Sequence, residues 1–115
     1  ETSRDFCFIA NAVQANLLAA TATEPKTLDQ AYNVAVSHRT TLNQLFAAIR
    51  DDLATRFPHL KDVQPVYRDF RPGDVRHSQA DMTKAAELLG YVPSHRVEEG
   101  LVEAMNWYVA NLSGL

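Results

Sequence analysis

The chain has 115 residues, 46% of them hydrophobic and 22% charged, with a formal net charge of −3. This composition suits one ordinary globular domain with a modest core, and its acidic balance argues against a nucleic-acid binder, which carries a clustered basic excess. A single cysteine, Cys7, rules out an internal disulfide, the scattered histidines offer no zinc spacing, and no apolar run reaches the ~18–20 residues that cross a bilayer.

In chain order, "FCFI" (6–9) is apolar throughout and predicts a short strand buried on both faces, with Cys7 an inert buried thiol. Residues 11–20 predict a helix with Val13, Leu17 and Ala20 on its buried face. A loop broken by Pro25 leads to a second strand, "AYNVAV" (31–36). Leu42, Leu45, Phe46, Ile49 and Leu53 then mark an amphipathic helix. Thr41 with Gln44 has capping-box spacing, and Thr40 is the alternative cap. Pro58 breaks that helix, and "PVYRDF" (65–70) predicts a third strand.

After a Pro72-Gly73 turn, Asp81 is placed to cap a helix that Gly90 ends. A last helix follows, with Ser94 as its cap, Glu98 and Glu99 in its first turns, and Val97, Leu101, Met105, Tyr108 and Leu112 as its apolar stripe. Gly100 inside that helix costs about 1 kcal/mol relative to alanine and marks a close packing contact. Trp107 and Tyr108 read as core or interface aromatics. The fold class expected is α/β: a small helix-rich domain with a short, partly parallel sheet, spanning residues 1–115 as a single domain. So short a sheet is marginal alone and would suit docking against something larger.

No catalytic apparatus is visible. Gly73, Gly90, Gly100 and Gly114 are too far apart for a dinucleotide or P-loop turn, no Ser or Cys sits in a nucleophile elbow, and no tyrosine is followed four residues later by lysine. Binding chemistry is visible in "RDFRPGDVRHS" (68–78). Arg71 offers a planar fork of donors to a phosphate, Gly73 allows close backbone approach, and Asp74 is an acceptor suited to vicinal hydroxyls. An arginine for phosphate and an aspartate for ribose on one rigid turn make a plausible nucleotide-diphosphate grip. Spacing alone favours a plainer reading, since Pro-Gly is a common turn pair. Arg4, beside Asp5, and His77, beside Ser78, are open to the same doubt.

"SRDFCFIANAVQANLLAA", "AYNVAVSHRTTLNQLF" and "YRDFRPGDVRHSQADMTKAAELLGY", in that order, resemble the C-terminal part of the extended short-chain dehydrogenase/reductase epimerases. The nearest group is the bacterial UDP-N-acetylglucosamine/UDP-glucose 4-epimerases of surface-polysaccharide synthesis. The resemblance runs from Ser3 to about Tyr108. It implies an NAD-dependent isomerase that inverts C4 of a UDP-sugar through a 4-keto intermediate. An N-terminal Rossmann domain with the NAD site and the catalytic Tyr-x-x-x-Lys would lie outside this chain, so the chain alone is expected to be inactive. Arg4 and Arg71 match the diphosphate arginines of that family, Asp74 the ribose carboxylate, and Ser78 a residue lining the sugar pocket, where a small side chain leaves room for an N-acetyl group. Arg68 and Arg76 have weaker claims. Ala10 stands where many relatives have Asp, which implies a local capping difference. With no spanning segment and no visible signal peptide, a cytoplasmic setting without a membrane partner is the default, and the acidic balance argues against a nucleic-acid partner. The resemblance leaves two options for assembly, a homodimer of the intact enzyme or a monomeric piece. The alternatives are part of a related nucleotide-sugar dehydratase or decarboxylase, or a free-standing nucleotide-sugar binding module.

Overall fold

The computed structural model describes residues 1–112, and nearly all of their regular backbone pairing is helical. In chain order the elements are β1 (Ser3–Arg4), α1 (Ile9–Thr21), a 3-10 turn (Pro25–Thr27), β2 (Thr40–Thr41), α2 (Leu42–Ala54), a second 3-10 turn (Pro58–Leu60), α3 (Thr83–Leu89) and α4 (Val97–Asn111). The helix-rich α/β expectation holds. The sheet has two strands, β1 and β2, which pair antiparallel with Ser3 opposite Thr41 and Arg4 opposite Thr40. The parallel component is a single bridge between Ser3 and His77. There the Ser3 N–H donates to the Arg76 carbonyl at 2.8 Å and the Ser78 N–H to the Ser3 carbonyl at 3.2 Å.

None of the strands predicted at 6–9, 31–36 and 65–70 forms a ladder in this chain. Strand propensity reflects fit to a paired, half-buried surface, and here no neighbouring strand pairs with these segments. Side chains take over part of that work: Val36 N–H donates to Asp5 Oδ1 at 3.0 Å, and Ala80 N–H to Asp5 Oδ2 at 3.2 Å. Asp5 thereby ties the chain start to two distant segments. The first predicted strand also fails because α1 begins at Ile9, and Cys7 is exposed rather than buried. Partial burial of its thiol, then the Asp5 charge, push the Cys7 pKa up, which disfavours the reactive thiolate.

Two helix pairs carry the packing, α1 with α3 and α2 with α4. Around α1 and α3 the core is Ala15, Ala85 and Tyr91, with Leu18, Tyr32, Val34 and Met82 packed against it. Tyr91 is wholly enclosed, and its hydroxyl donates to the Ala35 carbonyl at 2.7 Å. Helix α1 therefore buries a different face from the one predicted. Asn11 and Ala15 face inward, while Ile9, Val13 and Leu17 point to solvent, with Ile9 66% and Leu17 62% exposed.

The α2 cap is the predicted one: Thr41 Oγ1 accepts from the Gln44 N–H at 3.1 Å, and Gln44 Oε1 accepts from the Thr41 N–H at 2.8 Å. Asp81 accepts from the N–H and hydroxyl of Thr83 at the start of α3, and Gly90 ends α3 in the left-handed conformation, φ 69°. At α4 the Glu99 carboxylate accepts from the Arg96 N–H at 3.0 Å, so the cap lies at Arg96, two residues after Ser94, which instead bonds Asn11. Helix α1 has no side-chain cap and no acidic residue in its first turn, in keeping with Ala10.

Gly100 is where its position in α4 suggested, against another segment. A Cβ there would lie 2.6 Å from both Cβ and Cγ of Phe8. Trp107 and Tyr108 stack edge-on with ring centroids 5.2 Å apart, but both remain exposed, so they are not core residues of this chain. The Cα radius of gyration is 17.3 Å, against about 13 Å for a compact domain of this length. The small core and exposed helix faces account for that spread.

Candidate functional site

Three segments far apart in sequence enclose a cleft of about 600 Å³: β1, the first turn of α2, and the loop from Val66 to Arg76. Tyr67 ties the loop to the helix, its hydroxyl donating to Asn43 Oδ1 at 2.9 Å. The Pro72-Gly73 bend is closed by the Asp74 N–H donating to the Arg71 carbonyl at 3.2 Å. Gly73 has φ +81°, which a side chain would resist, although the space beside it is open. Glycine is there for backbone conformation, and the bend aims Arg71 and Asp74 into one opening.

Arg4, Arg71 and Asp74 are brought together. Arg4 Nη2 donates to Asp74 Oδ1 at 2.9 Å, and Arg71 Nη2 meets Asp74 Oδ2 at 3.2 Å. Arg4 is further fixed by Nη1, which donates to the carbonyls of Ser3 at 2.8 Å and Arg76 at 3.2 Å. Arg71 has no such fixing, and its side chain is 85% exposed. One guanidinium is thus held by backbone carbonyls as well as Asp74, and the other by Asp74 alone. Desolvation pushes the Asp74 carboxyl up, but the Val75 N–H, then the Arg71 hydrogen bond and the charges of Arg4 and Arg71, outweigh it and hold the group below the usual carboxylate range. An anion entering here would compete with Asp74 for both guanidinium groups and leave its oxygens free to accept from hydroxyls.

Arg68 and Arg76 line the same cleft, and the Arg76 guanidinium lies 4.4 Å from the Phe70 ring centroid. Spacing marked the cluster at 68–76 but could not bring Arg4 to it. Phe6, Val66 and Phe70 add apolar wall. Ser78 does not line the cleft; it is exposed and pairs through its backbone with Ser3. Asn11 had no signal beyond its polarity, yet it is fully buried and holds the loop before α4. Its Nδ2 donates to the His95 carbonyl at 2.7 Å, and its Oδ1 accepts from the N–H groups of Ser94 and His95 at 2.8 and 3.2 Å. Among the described residues no cluster of His, Cys, Asp and Glu could hold a metal ion.

The fold has counterparts in solved enzymes. A crystal structure of the UDP-glucose 4-epimerase of Thermotoga maritima with UDP-glucose is 35% identical, with a TM-score of 0.79 over 98% of this chain and 33% of its own. This chain resembles the C-terminal part of UDP-sugar 4-epimerases.

The UDP-N-acetylglucosamine 4-epimerase of Methanobrevibacter ruminantium, in complex with UDP-N-acetylmuramic acid, is 33% identical, with a TM-score of 0.76 over 96% of this chain and 32% of its own. A putative UDP-glucose 4-epimerase of Methanocaldococcus jannaschii is 28% identical over 109 residues, 95% of this chain and 32% of that protein. A further solved neighbour, 25% identical, is in complex with UDP-glucose and NAD. The chain therefore spans about a third of the length of the relatives it matches. No family model matches the sequence. No helix among the described residues is long and apolar enough to cross a membrane.

Proposed function

We propose that this chain is the UDP-sugar-binding portion of an NAD-dependent UDP-sugar 4-epimerase, and that the rest of the enzyme holds NAD and the catalytic groups. The observation that carries this reading is the convergence of Arg4 and Arg71 on Asp74 across a cleft of nucleotide size. In this reading both guanidinium groups leave Asp74 for the diphosphate, and Asp74 takes the ribose hydroxyls. Clamping the nucleotide leaves the sugar free to turn over within the enzyme. Ser78 would face the sugar once a second wall is in place.

The residues present do not fit NAD. Gly73 forms a single bend, Gly90 ends a helix, and Gly100 is packed inside α4 against Phe8, so among the described residues no glycine-rich turn opens a helix toward a pyrophosphate. NAD is therefore assigned to a Rossmann portion outside this chain. The solvent-facing stripe of Ile9, Val13 and Leu17 on α1 supports such a neighbour, because apolar stripes of this kind mark contact surfaces.

The assay is incubation of this chain with UDP-glucose and NAD, following the sugar by chromatography and the nucleotide by binding. The reading predicts bound UDP-glucose, no C4 epimer and no absorbance from reduced cofactor. Epimer formed by this chain alone would refute its assignment as one portion of the enzyme. No affinity for UDP-glucose would refute the cleft.

A further inference from the structure

A second cleft, of about 560 Å³, lies on the other face of the β1–β2 ribbon. Side chains alternate across a strand, and the two clefts share them out accordingly. Arg4, Leu42 and Arg76 line the first, while their chain neighbours Ser3, Thr41 and His77 line the second. Arg39 and His38 complete the cationic and titratable side of the second cleft, which has no carboxylate in its lining. Among the described residues, Arg39 forms no ion pair and no side-chain hydrogen bond.

The walls are fixed, although the opening is broad. Ser3 is buried, and its hydroxyl lies 2.8 Å from His77 Nδ1. A hydroxyl proton given to Nδ1 selects the tautomer whose Nε2 carries the other proton, making that nitrogen a donor. Ser37 sits at φ +55°, a conformation that a side chain rarely adopts. It is held there by Gln79 Nε2 donating to the Ser37 carbonyl at 2.7 Å and by the Ser37 hydroxyl donating to the Ala80 carbonyl at 3.1 Å. That bend starts the segment carrying His38 and Arg39. An unpaired guanidinium and two imidazoles line one cleft that has no carboxylate in its lining, and the nearby Asp5 carboxylate is engaged by the Val36 and Ala80 N–H groups, which leaves a donor set that matches an oxyanion.

We propose that this second cleft is a binding site for a small oxyanion, the shared chemistry of a phosphate group and a carboxylate, held by Arg39 and His77 with His38 beside them. The site stands apart from the UDP grip: it shares no side chain with Arg4, Arg71 or Asp74. An acidic group on a ligand or a free anion would be taken by the same donors.

The test is residue-resolved 1H–15N NMR of the chain, titrated separately with inorganic phosphate, acetate and UDP. Saturable shifts at residues 37–41 and 77–79 with phosphate or acetate are expected, and the anion that saturates first identifies the preferred group. Arg39→Ala should weaken that response about tenfold or more, the size of one lost charge-assisted contact, and Arg71→Ala should leave it in place. UDP shifts around residues 67–76 should behave in the opposite way, so loss of one response with the other intact tells the two readings apart. Saturation by neither anion at residues 37–41, or an undiminished response in a folded Arg39→Ala chain, would overturn the proposal.

Discussion

Replacing Asn11 with alanine tests whether the loop before α4 hangs on one buried amide. The substitution removes the donor to the His95 carbonyl and the acceptor for the Ser94 and His95 N–H groups. The Ser94 hydroxyl keeps a second partner, His95 Nδ1 at 2.7 Å, so three backbone groups lose their side-chain partner. Each would cost about 1–3 kcal/mol if left dry. The loop is half-buried, water reaches part of it, and the total expected is about 3 kcal/mol. Urea unfolding followed by circular dichroism should show the midpoint falling by about 1–2 M at an ordinary slope. Asn11→Asp keeps the acceptor and turns a carboxylate oxygen toward the His95 carbonyl, for a loss of about 1–2 kcal/mol. That graded variant remains informative if Asn11→Ala leaves the chain unfolded without denaturant. A loss below about 1 kcal/mol in Asn11→Ala would refute the reasoning and mean that the loop is held by other contacts.

Gly100→Ala should destabilise the chain by about 1 kcal/mol: the helix gains about 1 kcal/mol in propensity, but a methyl 2.6 Å from Phe8 brings an overpacking cost of about 1–3 kcal/mol. A rise in thermal midpoint would show that Phe8 moves aside freely. Burial, and after it the Cys7 and Asp5 charges, push the Tyr91 hydroxyl up to about 12. Ultraviolet titration should therefore find one phenol still protonated well above pH 10. Because that folded value is raised, the Tyr91 contribution to stability is present below the unfolded value near 10 and is lost as pH rises through about 12. Ionisation of the Tyr91 hydroxyl near pH 10 would contradict the enclosed phenol. Hydrogen bonds from the Thr83 hydroxyl and N–H hold the Asp81 carboxyl below its ordinary value. The stabilisation it gives is present above the unfolded value near 4 and is lost as pH falls through the lower folded one. Thermal melts of Asp81→Ala should accordingly converge on the parent at acid pH, and a constant gap at every pH would count against the assignment.

Local chemistry in this chain was legible where a few neighbouring residues decide the outcome. Thr41 and Gln44 close their capping box, Gly90 ends α3, and Gly73 makes the bend that carries Arg71 and Asp74, all within a turn of backbone. The strands differ from expectation for a physical reason: "AYNVAV" and "PVYRDF" have the pattern of strands, but a strand exists only with a partner, and none pairs with them here. Helix α1 turns a different face inward from the one its pattern predicts, because periodicity names an apolar stripe without saying what covers it. Ala15 and Leu18 meet α3 while Val13 and Leu17 do not. Of the site, Arg71 and Asp74 were readable as one turn, whereas Arg4 reaches them from the far end of the chain and entered only through the resemblance. Asn11 and Arg39 had no readable signal, since a buried amide and an unpaired guanidinium are defined by what surrounds them.

The central claim is that Arg4, Arg71 and Asp74 form a grip for UDP. Calorimetric titration of UDP into the parent chain, Arg71→Ala and Arg4→Ala tests it most directly. The account predicts measurable binding to the parent, weakened about tenfold or more in Arg71→Ala by the loss of a charge-assisted contact. It predicts at least as large a loss in Arg4→Ala, where the fixed guanidinium is removed. Binding of equal strength in all three chains, or none in the parent, would contradict it.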